Sequence, residues 1–194
     1  LLRQNYKNYE VIMVDDGSTD NSKEIMHKYA EKYENFFAYS KENGGLGQAR
    51  NYGAARATGD FITFVDSDDI VADGSYKLMM DTILKTNSDF IIGNVVRFNS
   101  NKEFPSVLHQ KVFSEDKFQT NIRMSPELFY DTTAWNKIFK MEFWRKHKLS
   151  FPEGMLYEDI PVTIPAHFLA DKVDVLTEIV YKWRSRDTGD QSIT

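Results

Sequence analysis

Three carboxylates crowd into four positions at Asp66, Asp68 and Asp69, directly after the apolar run 62–65 in "ITFVDSDD". Close carboxylates repel one another, so such a group calls for a positive partner. A second acidic pair, Asp15 and Asp16, follows the apolar run 11–14. Ligands of open α/β sheets bind beyond the carboxyl ends of the strands, so parallel strands would bring both acid groups to one rim. A hard divalent cation, Mg²⁺ or Mn²⁺, takes oxygen ligands and keeps water and substrate phosphates in its shell. The chemistry this suggests is a metal held by carboxylates, with the diphosphate of a nucleotide held by the metal. Each acid group taken alone also reads as a turn or as capping acids of the next helix.

The loop "NGGLG", with Gly44, Gly45 and Gly47, permits close backbone approach to a ligand, and the helix N-terminus behind it favours anions. Arg50 sits one turn into that helix, within reach of a phosphate or ribose; a tight turn with a surface arginine is the plainer reading. A dinucleotide fingerprint fits poorly, because Arg50 stands where its third glycine belongs. A calcium loop counted from Asp66 fails too, since its sixth position is Val71 and not glycine. Farther on, "YEDIPV" puts Glu158 and Asp159 at a helix start. Acids there either act as general bases or complement the helix dipole. Arg184 and Arg186 in "YKWRSR" can pair with a diphosphate or an anionic acceptor, or simply stay solvated. The four histidines show no metal spacing; His109 and His167 read as structural or exposed, and His147 belongs to a basic run.

These groups must be carried by regular elements. "EVIMV", "FFAYS", "DFITFV" and "DFIIGNVVRF" read as strands, and "QARNYGAARA" and "DGSYKLMMDTILKTN" as helices. Asn21-x-x-Glu24 has capping-box form, with Ile25, Met26, Tyr29, Ala30 and Tyr33 predicted to form one buried helix face. Alternating strands and helices with short connections imply βαβ units and a mainly parallel sheet flanked by helices. Residues 99–130 are polar and irregular and read as an excursion. "TTAWNKIFKMEFWRKHK" is predicted helical, with Trp135, Ile138, Phe139 and Phe143 on one side. Lys137, Lys140, Arg145, Lys146 and Lys148 would then form a solvated face, or in a sharper reading a docking surface for a phosphorylated polymer or the inner membrane leaflet. "LYEDIPVTIPAHFLA" reads as a helix with Pro161 in its first turn and Pro165 as a kink or break. "KVDVLTEIVYKWRSR" is one long strand or a strand pair, and "DTGDQSIT" a mobile polar tail.

Composition narrows the classes. The 194 residues fit one domain, and 41% hydrophobic and 14% aromatic residues can build a core. A net charge of -5 argues against nucleic acid as partner. Without cysteine there is no disulfide framework and no thiolate site. No apolar run approaches the roughly 18 residues of a membrane span, which suits a cytoplasmic protein, at most peripheral to the inner face of the membrane.

Four segments in order, "VDDGSTDNS", "NGGLGQARNYG", "ATGDFITFVDSDD" and "WNKIFK…FPEGMLYEDIPVT", resemble the family 2 glycosyltransferases with the GT-A fold, above all bacterial enzymes that build capsules, teichoic acids and other surface polysaccharides. The resemblance implies an inverting transferase that uses a nucleotide-activated sugar, a UDP-sugar foremost, with Mn²⁺ or Mg²⁺. Its acceptor would be a polysaccharide, a teichoic acid or a lipid-linked glycan. It implies that Asp15 or Asp16 contacts the nucleobase or ribose and that Arg50 touches the nucleotide. Asp66 would lie near the ribose, sugar and metal, Asp68 would bind the metal, and Asp69 would support or cap. Asp159 would be the base, oriented by Glu158, while the segment bearing Arg184 and Arg186 folds over the donor. Residues 1–98 would form the donor half and 99–194 the acceptor half of a single domain. Family members open with a further strand, so the chain is expected to be a fragment lacking its first strand. A non-catalytic nucleotide-sugar or polysaccharide-binding module of the same fold is the alternative; the presence of both the Asp-x-Asp and the Glu-Asp pair favours the enzyme.

Overall fold

The computed structural model describes residues 1–187, so the expected polar tail lies, from residue 188 onward, outside the described residues. In chain order the elements are β1 (Val11–Asp15), α1 (Ser22–Lys32), β2 (Phe36–Ser40), α2 (Leu46–Ala54), β3 (Phe61–Ile62), β4 (Ile70–Val71) and α3 (Ser75–Thr86). Then come β5 (Phe90–Phe98), β6 (Glu103–Pro105), β7 (Lys117–Thr120), β8 (Lys137–Lys140), α4 (Met141–Lys146), α5 (Ile160–Leu169) and β9 (Val173–Arg184), with a 3-10 turn at Pro126–Tyr130 before β8.

Strands β1 and β2 pair in parallel as a two-stranded sheet. The remaining strands form a second sheet in the order β3-β8-β5-β9-β4, with β6 added to β5 and β7 to β9. Within it only β5 and β9 run parallel; the other pairings are antiparallel. The expected mainly parallel sheet is therefore corrected to a mixed one. Part of the reason lies in the predicted helix at 132–148, of which Lys137–Lys140 is strand β8 and only Met141–Lys146 is helical, as α4. Strand β8 pairs Phe139 with Phe90 on one side and with Ile62 on the other. Ile138 packs with Ile91, Met79 and Ile83, while Phe139 packs with Phe90, Phe143 and Trp144 on the opposite face. Trp135, Ile138, Phe139 and Phe143 recur at i, i+3, i+4 and i+8, so a four-residue strand running into α4 counts as one helical face. Lys137, expected on a solvated face, is fully buried.

Strand β5 is the spine. Phe90 and Ile92 face the side covered by α4 and α5, and Ile91 and Val95 face α3. Phe90, Ile91 and Ile92 have no exposed surface, and burying each stabilises the fold by about 1.5–3 kcal/mol. The polar 99–130 region is more than an excursion, because Val112, Phe113 and Leu128 enter the core.

Helix α1 starts where expected, but Asn21 makes no capping hydrogen bond; the Asp20 carboxylate instead accepts the Ser22 N–H at 2.9 Å. The predicted buried face is also corrected. No residue of α1 is buried, and Ile25 and Tyr29 are exposed, because the helix packs edge-on against β2 through the Tyr29, Tyr33 and Phe36 rings. Helix α5 follows its sequence reading at Pro161, and it runs through Pro165 to Leu169 without a break. Among the described residues no helix is long and apolar enough to cross a membrane.

His109 and His167 are both buried. His109 sits between the Phe113 and Trp135 rings, and its Nδ1 lies 2.7 Å from the Ser106 hydroxyl. Burial pushes its pKa down from 6.5 to about 4. The folded state thus favours the neutral ring, and this stability is present above about pH 6.5 and lost as pH falls toward about 4. His167 is displaced in the same direction by burial. Urea denaturation at pH 7.5 and at pH 4.5 should show an acid-induced loss that is smaller by on the order of 1–3 kcal/mol in His109→Gln.

Candidate active site

Helix α2 links both acid groups: Asp16 binds the glycine loop in front of it, and Asp66 binds Arg50 within it. Asp15 ends β1 with its carboxylate accepting the Ser18 N–H at 3.0 Å, and the Ser18 hydrogen bonds hold its carboxyl below the usual range. Asp16 reaches across to the glycine loop. It accepts the Gly44 N–H at 3.0 Å, the Gly45 N–H at 2.8 Å and the Lys41 ammonium at 2.5 Å. Gly45 has φ of 87°, a left-handed conformation that costs glycine nothing, and α2 begins immediately after it. Gly47 faces the 151–152 segment so closely that a Cβ would lie 2.3 Å from the Pro152 carbonyl oxygen. Asn51 bridges the same segment, donating to the Phe151 carbonyl at 2.7 Å and accepting the Phe151 N–H at 2.8 Å. These contacts press α2 against the strap that leads to Glu158 and Asp159.

Arg50 is the centre of the arrangement. Its guanidinium, 7% exposed, donates to Asp66 Oδ1 at 2.7 Å, to Glu158 Oε1 at 2.8 Å and to Asp159 Oδ1, and it lies over the Phe151 ring. One arginine thus joins three of the sequence segments singled out above. The sequence reading gave Arg50 a contact with the nucleotide; in the structure its guanidinium is paired with these carboxylates. Burial raises the Asp66 carboxyl against the pull of Arg50, and burial likewise raises Glu158. Three acids share one cation, so the cluster keeps an unbalanced negative charge. Asp159 is fixed at both oxygens, because Oδ2 accepts the Ala134 N–H at 3.0 Å.

The loop after β3 is held from β9. The Arg184 N–H donates to Asp69 Oδ1 at 2.7 Å, Arg184 Nε to the Asp68 carbonyl at 2.5 Å, and Arg186 to Asp68 Oδ2 at 3.2 Å. Burial pushes the Asp69 carboxyl up to about 6. Sequence reasoning missed Tyr181, whose hydroxyl accepts the Asp66 N–H at 3.1 Å and whose ring stacks on Trp135 at 4.3 Å. It also missed Asp131, Asn136 and Lys137, which form a buried polar group behind Asp159. A lysine flanked by Trp135, Ile138 and Phe139 was the available signal.

No three His, Asp or Glu side chains are gathered as a metal cage among the described residues. Asp66 and Asp68 offer two hard carboxylates, and Asp68 is about half exposed. Such a pair suits Mg²⁺ or Mn²⁺, which complete their shells with water and substrate phosphates.

Residues 1–147 match the profile of Glycosyl transferase family 2. The chain belongs to this family. It is 30% identical to "Glycosyltransferase GlyA" of Streptococcus pneumoniae, over 96% of this chain and 28% of that protein. It is 29% identical to the poly(ribitol-phosphate) beta-glucosyltransferase of Bacillus spizizenii, over 95% of the chain and 28% of the relative. Among solved structures, S. aureus TarS 1-349 in complex with UDP-GlcNAc superposes with a TM-score of 0.84 at 27% identity, covering 96% of this chain and 53% of that one. The family 2 chain therefore has the mixed α/β fold of TarS, and it spans only about a quarter to a half of the length of these relatives.

Removing Arg50 leaves the three acids without their shared cation. Arg50→Met should lower stability by about 3 kcal/mol at pH 7. The deficit should shrink as pH falls toward 5 in equilibrium unfolding, since protonated acids need no counter-charge.

Proposed function

We propose that this family 2 chain is the donor-and-base portion of an inverting glycosyltransferase that moves a sugar from a UDP-sugar to a hydroxyl of a bacterial surface polymer. The observation that carries the reading is the single guanidinium of Arg50 binding Asp66 together with Glu158 and Asp159, because it couples a donor-side acid to the candidate base. Support comes from the likeness to the TarS–UDP-GlcNAc complex and to a poly(ribitol-phosphate) glucosyltransferase, which makes a polyol-phosphate chain the acceptor of first choice.

In this reading Asp159 takes the proton from the acceptor hydroxyl as its oxygen bonds to the anomeric carbon, and the bond from that carbon to the diphosphate breaks on the opposite face. Arg50 and the Ala134 N–H keep the carboxylate oriented. Glu158 shares the guanidinium and limits its movement. Asp15 and Asp16 border the nucleoside, Asp16 by shaping the glycine loop. Asp66 and Asp68 would hold Mn²⁺ or Mg²⁺, which when bound offsets charge on the departing diphosphate. Arg184 and Arg186 add positive charge at the same edge.

Release of UDP from UDP-GlcNAc, UDP-glucose and UDP-galactose, with poly(ribitol phosphate) as acceptor and Mn²⁺ present, tests the activity. Asp159→Asn should reduce kcat by about 10²–10⁴-fold while UDP still binds. Turnover of that variant at the wild-type rate rejects Asp159 as base. Asp68→Ala should weaken Mn²⁺ binding followed by electron paramagnetic resonance, and an unchanged Mn²⁺ affinity rejects Asp68 as a ligand.

A further inference from the structure

Behind Asp159 lies a buried polar group that the mechanism above does not use. The Lys137 ammonium has no exposed surface, and its three donors meet three acceptors: Asp131 Oδ2 at 2.5 Å, Asn136 Oδ1 at 2.9 Å and the Thr133 carbonyl at 2.5 Å. All three acceptors belong to the 131–136 turn, so the turn is wrapped around the ammonium. Asn136 closes it, donating to Asp131 Oδ1 at 2.9 Å and to the Gly93 carbonyl of β5 at 3.1 Å. Against the burial that would raise it, Lys137 and His167 hold the Asp131 carboxyl well below the usual carboxylate range.

From this turn three bonds reach the start and one face of α5. The Ala134 N–H donates to Asp159 Oδ2 at 3.0 Å, the Thr132 carbonyl accepts the Thr163 hydroxyl at 2.9 Å, and Asp131 Oδ2 lies 3.0 Å from His167 Nε2. Asp159, Thr163 and His167 are spaced four residues apart, the spacing that aligns side chains along one helix face. The turn therefore sets both the rotation and the depth of α5, and it determines where the Asp159 carboxylate stands.

We infer that Lys137 is a positioning residue for Asp159: it holds the 131–136 turn in the shape that puts the Ala134 N–H on Asp159 Oδ2. The inference rests on the reading of Asp159 as the base. Arg50 secures only Oδ1, and a carboxylate held at one oxygen can turn about its broad terminal torsion. Stability is a poor explanation for the charges, since apolar groups of similar volume commonly replace a buried ion pair without loss. What an apolar replacement cannot supply is the three-way hydrogen bonding that shapes the turn.

The test is a double-mutant cycle in the full chain, with whichever of UDP-GlcNAc, UDP-glucose and UDP-galactose the wild type turns over fastest. Lys137→Met should lower kcat roughly tenfold or more, because small misplacements of reacting groups cost that much. KM for the donor and the Kd for UDP should stay at wild-type values. In the Asp159→Asn background the same substitution should cause no further loss. Wild-type kcat in Lys137→Met, or an equal proportional loss in both backgrounds, overturns the positioning role while leaving Asp159 as base; wild-type turnover of Asp159→Asn overturns both. Because Lys137→Met strands the Asp131 charge, the pair Asp131→Leu with Lys137→Met is made alongside it. That pair should melt cooperatively and show the same fall in kcat. A crystal structure of it that keeps the Ala134 N–H on Asp159 Oδ2 also overturns the proposal.

Discussion

The structure depends on one guanidinium. Arg50, carried on α2, is shared by Asp66 from the loop after β3 and by Glu158 and Asp159 at the start of α5. Those acids stand 16, 108 and 109 residues away along the chain, and without Arg50 they would repel at close range. The single cation does not neutralise three acids. The neighbouring acids Asp68 and Asp69 draw further cations to this rim, Arg184 at the end of β9 and Arg186 just after it.

Everything that surrounds Arg50 serves to bring its partners within reach. Gly47 allows α2 to lie against Pro152, and Asn51 locks that contact through both backbone groups of Phe151. Tyr181 fixes the backbone at Asp66 from the far side of the sheet order, while its ring rests on Trp135. The mixed sheet is essential to this. Because β8 runs antiparallel to β5, the turn that precedes it emerges at the end of the sheet where α5 begins, and Ala134 meets Asp159. A mainly parallel sheet would have needed a helical crossover at that point.

Much of the site was legible in the residues. The acids at 66–69, the glycine loop with Arg50 and the Glu158–Asp159 pair are local patterns whose chemistry follows from residue type and spacing, and the matching motifs identified the family. Strands β1, β2 and β5 and helices α3 and α5 follow from periodicity and turn residues. The errors have separate physical causes. At 135–143 the apolar residues of a four-residue strand and of the helix after it fall on one helical spacing, so periodicity alone joined the two. The helical pattern in α1 is genuine, yet the helix buries no residue completely, since a two-stranded sheet offers too little surface to cover it.

The sequence by itself determined the family and which charged and flexible groups the chain carries, since the carboxylates, the arginine and the glycine turns are properties of residues and short spacings. Only the tertiary structure decided how those residues are used. Arg50 is paired with carboxylates from two distant segments, Asp16 shapes a loop, and Lys137 is a buried hub and not a surface charge. Each of these depends on what burial brings opposite a side chain. The strength and direction of a charge interaction are set by its partner and its dielectric surroundings, and both come from segments far away in sequence.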